Sequence, residues 1–340
     1  MSTNERPGVY TTYEVSGNIF GGGSGAAVGL VAHDTAGENG KVFSLGSIAQ
    51  ARENFGGGEL TKLAEVLFRN GAPKVYAYKI DGDGYGEAFA ALMEYADIRF
   101  IVHDSHDAEV HAALKTAIGS ADERGKYRIG VVESDCADCA GFLTMAAGLN
   151  DERMLLAANW EAEGTAGSVA AALCGAMAAE EDPAVPLNGL ELKGLGGMGA
   201  KFSDAEISQL IAGGVTPIEV LAGVPTVVRG VSTRTKTGDA ADLTWRDINT
   251  VMILDEVIPT IRDGLRAKFA RAKNNAQTRG AVRTYVLVAL ESYMKREIID
   301  SYGEINVSQS GDDPGICLVG FSFTVAHGMN RIELHANISV

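Results

Sequence analysis

The sequence predicts an α/β fold with a largely parallel sheet, followed by a second unit built from long helices and short strands. Three observations predict it. Glycine is abundant, 42 of 340 residues, against a usual share of about 7%, which implies turns and close backbone approaches rather than a helical bundle. Helical and strand-like patterns alternate from residue 59 to 179. After residue 239 the texture changes to two long helical patterns and terminal strands.

The elements follow in order. Residues 1–16 read as an extended arm: Pro7-Gly8 punctuates a polar start, and Val9, Tyr10, Thr11, Thr12 and Tyr13 are β-formers without helical period. Ala27 to Ala32 reads as a buried strand. Leu60, Leu63, Ala64 and Leu67 recur at i, i+3, i+4, i+7, so Glu59 to Asn70 is an amphipathic helix stopped by Gly71 and Pro73. Strands follow at Lys74–Ile80, Arg99–His103, Tyr127–Val132 and Met154–Ala158. Helices fall near Glu87–Tyr95, Ala108–Ala121, Ala140–Leu149 and Ala166–Ala179. Leu187–Ala200 is a glycine-rich loop. Ser203 with Glu206 forms a capping box for a short helix ended by Gly213-Gly214. Val215–Leu221 and Thr226–Val231 read as strands, and the polar turn Ser232–Asp239 as the domain boundary. Beyond it, helices span Thr244–Ala272 and Gln277–Asp300, and strands Gly303–Ser308, Ile316–Val325 and Arg331–Val340. Both chain ends then look like free strands, an edge that sheets ordinarily protect, so pairing with another copy by β-augmentation is expected.

Composition limits the function classes. A chain of 340 residues implies about two domains, and 46% hydrophobic with 21% charged residues implies a folded, soluble protein. A net charge of −15 disfavours nucleic acid and anionic lipid. Against that background Arg262, Arg266, Lys268, Arg271, Lys273, Arg279, Arg283, Lys295 and Arg296 face only Asp263 and Glu291, so this stretch is either a solvated face or a docking face for an acidic partner. No secretory signal is visible, and the longest apolar run, Ser168–Ala179, is too short for a membrane span. Four cysteines suit reduced thiols in cytoplasm.

Candidate chemical motifs each have a plainer reading. Gly21, Gly22, Gly23 and Gly25 lack the strand before and the helix after that a dinucleotide fingerprint needs, and read better as a hinge. Cys136 and Cys139 stand at a strand–helix junction where a redox pair belongs, yet Asp135 and Asp138 oppose thiolate formation; Cys174 and Cys317 read as packing. His103, His106 and His111 with Asp104 and Asp107 do not share a helical face and read as a solvated loop, with adventitious metal binding as the alternative. No nucleophile elbow, phosphate loop or zinc-protease motif is present, so neither an enzyme nor a cofactor or metal site is expected. The competing functional class is a Rossmann-like cytosolic oxidoreductase using the early glycines or Cys136 and Cys139; a generic oligomeric scaffold is a third.

Several segments together resemble the contractile tail sheath family of myophages, phage-tail-like bacteriocins and related contractile injection systems. They are Arg6-Pro7-Gly8-Val9-Tyr10, Gly29-Leu30-Val31-Ala32, Phe43-Ser44-Leu45 to Asn54-Phe55-Gly56, Phe68–Ala72 with Val75–Lys79, and Arg229–Thr235. The resemblance implies an outward α/β domain (17–238) inserted into a tube-proximal α+β sheath domain (239–328), with an N-terminal arm (1–16) and a C-terminal arm strand (329–340). It implies a structural subunit that polymerises with itself as stacked hexameric rings in a six-start helix around an inner tube protein. That assembly contracts, without nucleotide hydrolysis, to drive the tube through a target cell envelope. Baseplate and tail terminator proteins are the further partners, with no nucleic acid and no direct membrane contact. Assembly is expected in bacterial cytoplasm, in a virion tail or a released particle. The inter-subunit arm residues would be Val9, Tyr10, Thr11, Thr12, Tyr13, Arg331, Ile332, Glu333, Leu334 and Ile338; the tube-contact residues would be Arg266, Lys268, Arg271, Lys273 and Arg279. Asn274 to Gly280 departs from the family's tryptophan-bearing segment, and the chain is short for the family.

Overall fold

A computed structural model describes residues 26–330 together with Glu333 and Leu334. The first half runs β1 (Ala27–His33), β2 (Val42–Leu45), α1 (Ile48–Phe55), α2 (Glu59–Arg69), β3 (Val75–Ile80), α3 (Tyr85–Leu92), β4 (Ile98–His103), α4 (Ala108–Asp122) and β5 (Ile129–Ser134). It continues with α5 (Cys139–Leu149), β6 (Met154–Ala158), α6 (Ser168–Ala179), α7 (Asp204–Ala212), β7 (Thr216–Leu221) and β8 (Val224–Val227). The eight strands form one sheet in the order β2-β3-β1-β4-β5-β6-β7-β8. The six inner strands are parallel, and β2 and β8 close the edges antiparallel.

Alternation along each strand builds two apolar layers. Val28, Leu30, Val75, Ala77, Phe100, Val102, Val131 and Leu155 face α1, α2 and α6. Val31, Tyr76, Tyr78, Ile101, Val132 and Leu156 face α3, α4, α5 and α7. Each fully buried large side chain contributes roughly 1.5–3 kcal/mol, so the doubly covered sheet is the stable centre of the chain. The predicted capping box is present: the Ser203 side chain accepts from the Glu206 N–H, and the Glu206 carboxylate accepts from the Ser203 N–H at 2.8 Å.

The second half holds a small hairpin, β9 (Lys236–Thr237) with β10 (Ala240–Ala241), then α8 (Ile248–Phe269) and α9 (Ala276–Lys295). β11 (Ile299–Tyr302) pairs with β14 (Phe323–Val325), and β12 (Asn306–Gln309) with β13 (Cys317–Gly320), both antiparallel. The predicted strand over 303–308 is strand only from Asn306, as β12, while β11 lies before it in the end of the predicted helix, and the predicted strand over 316–325 is broken at Phe321-Ser322. The arm residues 1–16, the glycines 21–25, and 331–340 apart from Glu333 and Leu334 lie outside the described residues. Ser232 and Thr233, expected in a polar turn, are buried: Ser232 donates to Trp245 O and Thr233 to Asp151 O.

α8 joins the two halves. Its first eleven residues, Ile248 to Ile258, are all buried, and Val251, Leu254, Val257 and Ile261 enter the same apolar cluster as the sheet, α9 and β14. Beyond Ile258 the burial becomes periodic, and the last turn ends in exposed cations. Among the described residues no helix is long and apolar enough to cross a membrane.

Candidate functional site

Three places carry concentrations of polar side chains. The first is the carboxyl edge of the sheet at the switch point between β1 and β4, where doubly wound folds commonly bind ligands. Here the crevice is filled from within. The Asp104 carboxylate accepts the His33 N–H at 2.6 Å, lies 2.8 Å from His33 Nδ1, and accepts the Tyr85 hydroxyl at 2.6 Å. Burial, reinforced by Asp104, pushes the Tyr85 hydroxyl well above its ordinary pKa. For His33 burial works the other way, but the Asp104 bond and charge win and raise it. These groups neutralise one another and present no open nucleophile.

Beside them the histidine cluster overturns the solvated-loop expectation. His103 and His111 are buried, 2% and 0% exposed. The strand end places His103 against His111 of α4, while His106 Nε2 lies 2.9 Å from Glu133 Oε1. Glu133 also accepts the N–H groups of Gly167 (2.7 Å) and Ala170 (2.8 Å), so a buried carboxylate caps α6 from β5. Gly167 is required there. Its φ is +88°, and a Cβ would strike the His103 carbonyl. Cys139 heads α5 but is buried, and its thiol is pushed up by burial and then by Glu206 and Asp138; that is the reverse of an activated thiolate. Cys174 is fully buried in the core, as expected of packing.

The second place is the amino edge, where α8 crosses the starts of β4, β5 and β6. Arg153, just before β6, makes two bonds to Asp255 of α8, at 2.8 and 3.0 Å, and a third contact to Asp122 at 3.0 Å. Pro259 has no N–H to offer the Asp255 carbonyl four residues back, and Arg99 of β4 donates to that carbonyl instead. Arg128 donates to Tyr95 O and Tyr127 O; burial, with Arg99 adding to it, lowers its pKa to about 10. Arg262, one turn further along α8, stacks over Tyr127 and donates to Gly125 O. The sequence hid this latch because Arg153 and Asp255 are 102 residues apart.

The third place is the face of the second half. Arg266, Lys268, Arg271 and Lys273 are exposed around the end of α8. Arg266, Arg271 and Lys273 form no ion pair among the described residues, and Lys268 lies 4.3 Å over the Tyr285 ring. Arg279 differs: it is half-buried and donates to Asn274 Oδ1 and Gln309 Oε1. The segment 274–280 is a structured corner, since Asn274 donates to Pro314 O and Ile316 O and Asn275 caps α9. Each two-stranded pair in this half lacks a third strand among the described residues. Ile316 and Leu318 stand exposed on the β12–β13 hairpin. A groove of about 370 Å³ opens between α9 and the β11–β12 connection, lined by Arg283, Leu287, Tyr302 and Ile305. Of the predicted arm residues, Glu333 and Leu334 are described and exposed, outside any strand; Val9, Tyr10, Thr11, Thr12, Tyr13, Arg331, Ile332 and Ile338 lie outside the described residues.

Comparison with known proteins bears on this third place first. Residues 240–339 match the family model of the phage tail sheath C-terminal domain. Among solved structures, the chain is similar to the helical sheath of the anti-feeding prophage in its contracted state, at 17% identity and a TM-score of 0.74, covering 99% of this chain and 100% of that one. A chain of the anti-feeding prophage baseplate matches at 16% identity and a TM-score of 0.73, with 99% and 100% covered. The sheath tail protein of Desulfitobacterium hafniense matches at 13% identity and a TM-score of 0.70, covering 94% and 100%. A search among curated proteins found no match. The chain therefore shares the fold of these structures over nearly its whole length, and residues 240–339 match the sheath C-terminal domain model.

Proposed function

We propose that this chain, a sheath fold ending in a sheath C-terminal domain, is a tail sheath subunit of a contractile injection system. The match over residues 240–339 carries the reading. In this reading subunits stack as hexameric rings around an inner tube, and the stack contracts to drive the tube into a target envelope. The baseplate likeness favours contact with a baseplate at one end of the stack.

The chemistry of the second half supports polymerisation. An isolated two-stranded sheet is marginal in water, and β11–β14 and β12–β13 each offer an outer edge. The segments 9–15 and 331–340, whose sequences are rich in β-formers, are suited to fill such edges on neighbouring subunits. Backbone hydrogen bonds of ~1 kcal/mol each would then join subunits without fixing their relative angle. Arg266, Lys268, Arg271 and Lys273 suit an acidic tube. Exposed pairs contribute only ~0–1 kcal/mol each, so the tube can be released. The oxidoreductase reading is not favoured, because the switch-point groups are committed to one another and the Cys139 thiol is held protonated.

Negative-stain microscopy of the purified chain tests the reading: tubes or ring stacks are expected. Deleting residues 1–15 should abolish them while leaving the far-ultraviolet spectrum unchanged. Compact monomers at high concentration, or normal tubes from the truncated chain, would refute the polymer and the arm argument respectively.

A further inference from the structure

The buried histidine pair has a hydrogen-bond order that can be worked out atom by atom. His111 Nε2 lies 3.1 Å from the Glu133 carbonyl. A carbonyl only accepts, so Nε2 carries the hydrogen and Nδ1 of the neutral ring is bare. That Nδ1 is 3.3 Å from His103 Nε2, which must therefore be the donor. His103 Nδ1 is then an acceptor, and it receives the Ser105 N–H at 3.2 Å. The chain runs Ser105 N–H to His103, His103 to His111, His111 to Glu133 O, with every ring nitrogen used. An added proton on either Nδ1 would face another N–H.

We propose that this chain is an acid-sensitive latch, closed only while both imidazoles are neutral, and that protonation of either ring releases α4 from the carboxyl ends of β4 and β5. The surroundings offer the added charge little help. From α3, Tyr85 and Phe89 lie against His103 with ring centroids 5.8 Å away. From the β4–α4 connection come Asp104, already engaged by His33 and Tyr85, and His106, already engaged by Glu133 at 2.9 Å and Asp135 at 3.5 Å. From α4 comes Asp107, bound to the Glu109 N–H, and from β5 Glu133, bound to the start of α6. Burial accordingly lowers His103 well below its ordinary value and His111 to about 4.

The sign follows from linkage. Both rings bind protons more readily when unfolded, near pH 6.5, so stability is full above that pH and falls as pH drops toward 4. His33 and His106 are shifted upward and act in the opposite sense, so the wild-type slope alone is not diagnostic. The test compares urea unfolding of the full chain with that of a His103→Gln/His111→Gln variant, in which amides keep one donor and one acceptor at each site. Between pH 7.5 and 5 the unfolding constant of the wild type should rise about 30-fold per histidine relative to the variant. Curves that stay within about threefold of each other over this range would overturn the latch. Should the variant not fold, nitrogen-15 spectra of the histidine-labelled wild type decide. Both rings are expected as Nε2–H tautomers that do not titrate above pH 5; an Nδ1–H tautomer, or titration above pH 6, refutes the proposal.

Discussion

Replacing Asp255 with alanine tests whether α8 is held to the sheet by the amino-edge latch. The Asp255 side chain is 5% exposed and receives both terminal nitrogens of Arg153, whose side chain is 6% exposed. Its removal leaves Arg99, Arg128 and Arg153 clustered around one fewer carboxylate. The Arg99 bond to the residue 255 carbonyl survives the substitution, so the loss isolates the side chain. Removing one partner of a buried pair costs about 3–5 kcal/mol. Arg153 keeps its Asp122 contact, which places the expectation near the lower end, at about 3 kcal/mol. Urea unfolding read by tryptophan fluorescence measures it, with buried Trp245 just ahead of α8 as reporter. A double variant, Arg153→Met/Asp255→Leu, removes both charges of the pair and should recover part of that loss, because apolar replacements of buried pairs are near neutral while Asp122 still loses its Arg153 contact. A loss below about 1 kcal/mol for Asp255→Ala would refute the claim that this pair fastens α8.

Three further outcomes follow from described geometry. Gly167→Ala should cost about 1–3 kcal/mol by thermal melting, since it combines a left-handed backbone with a collision against the His103 carbonyl. Ser203→Ala should cost about 1 kcal/mol and Ser203→Thr much less, because the hydroxyl accepting from Glu206 N–H is retained. Reversing Arg266, Lys268, Arg271 and Lys273 to glutamate should leave the melting temperature of the chain nearly unchanged but abolish salt-sensitive co-sedimentation with an acidic tube protein; unaltered co-sedimentation would remove these residues from the interface.

Much of the α/β half was legible because local periodicity and tertiary burial agree there. Leu60, Leu63, Ala64 and Leu67 point into one layer, and Met154–Ala158 is a strand with the bounds its apolar run implies. α1 and β2 were not legible: α1 buries only Ala51 and Phe55, and edge strand β2 buries only Leu45. The end of α9 was misplaced for a different reason. The chain turns at Glu297, with φ +59°, where glycine or asparagine would ordinarily announce the stop; without that signal Ile298 and Ile299 extend the helical pattern into β11. The histidines were misread because helical spacing cannot show that a strand-end residue meets a ring eight positions later on α4. The basic run was visible, but its division into exposed Arg266, Lys268, Arg271 and Lys273 and engaged Arg279 depends on the β12–β13 hairpin.

The placement of α8 has a mechanical consequence. A pull applied at its cationic tip runs along the helix axis to contacts spread over about two turns: the Asp255–Arg153 pair, the Arg99 bond to the Asp255 carbonyl and the stacked Arg262. Such contacts are loaded in shear and must yield together, whereas a sheet edge pulled at one end peels strand by strand. A tug at the tip of α8 thus reaches the eight-stranded sheet through all of these contacts at once rather than through one after another.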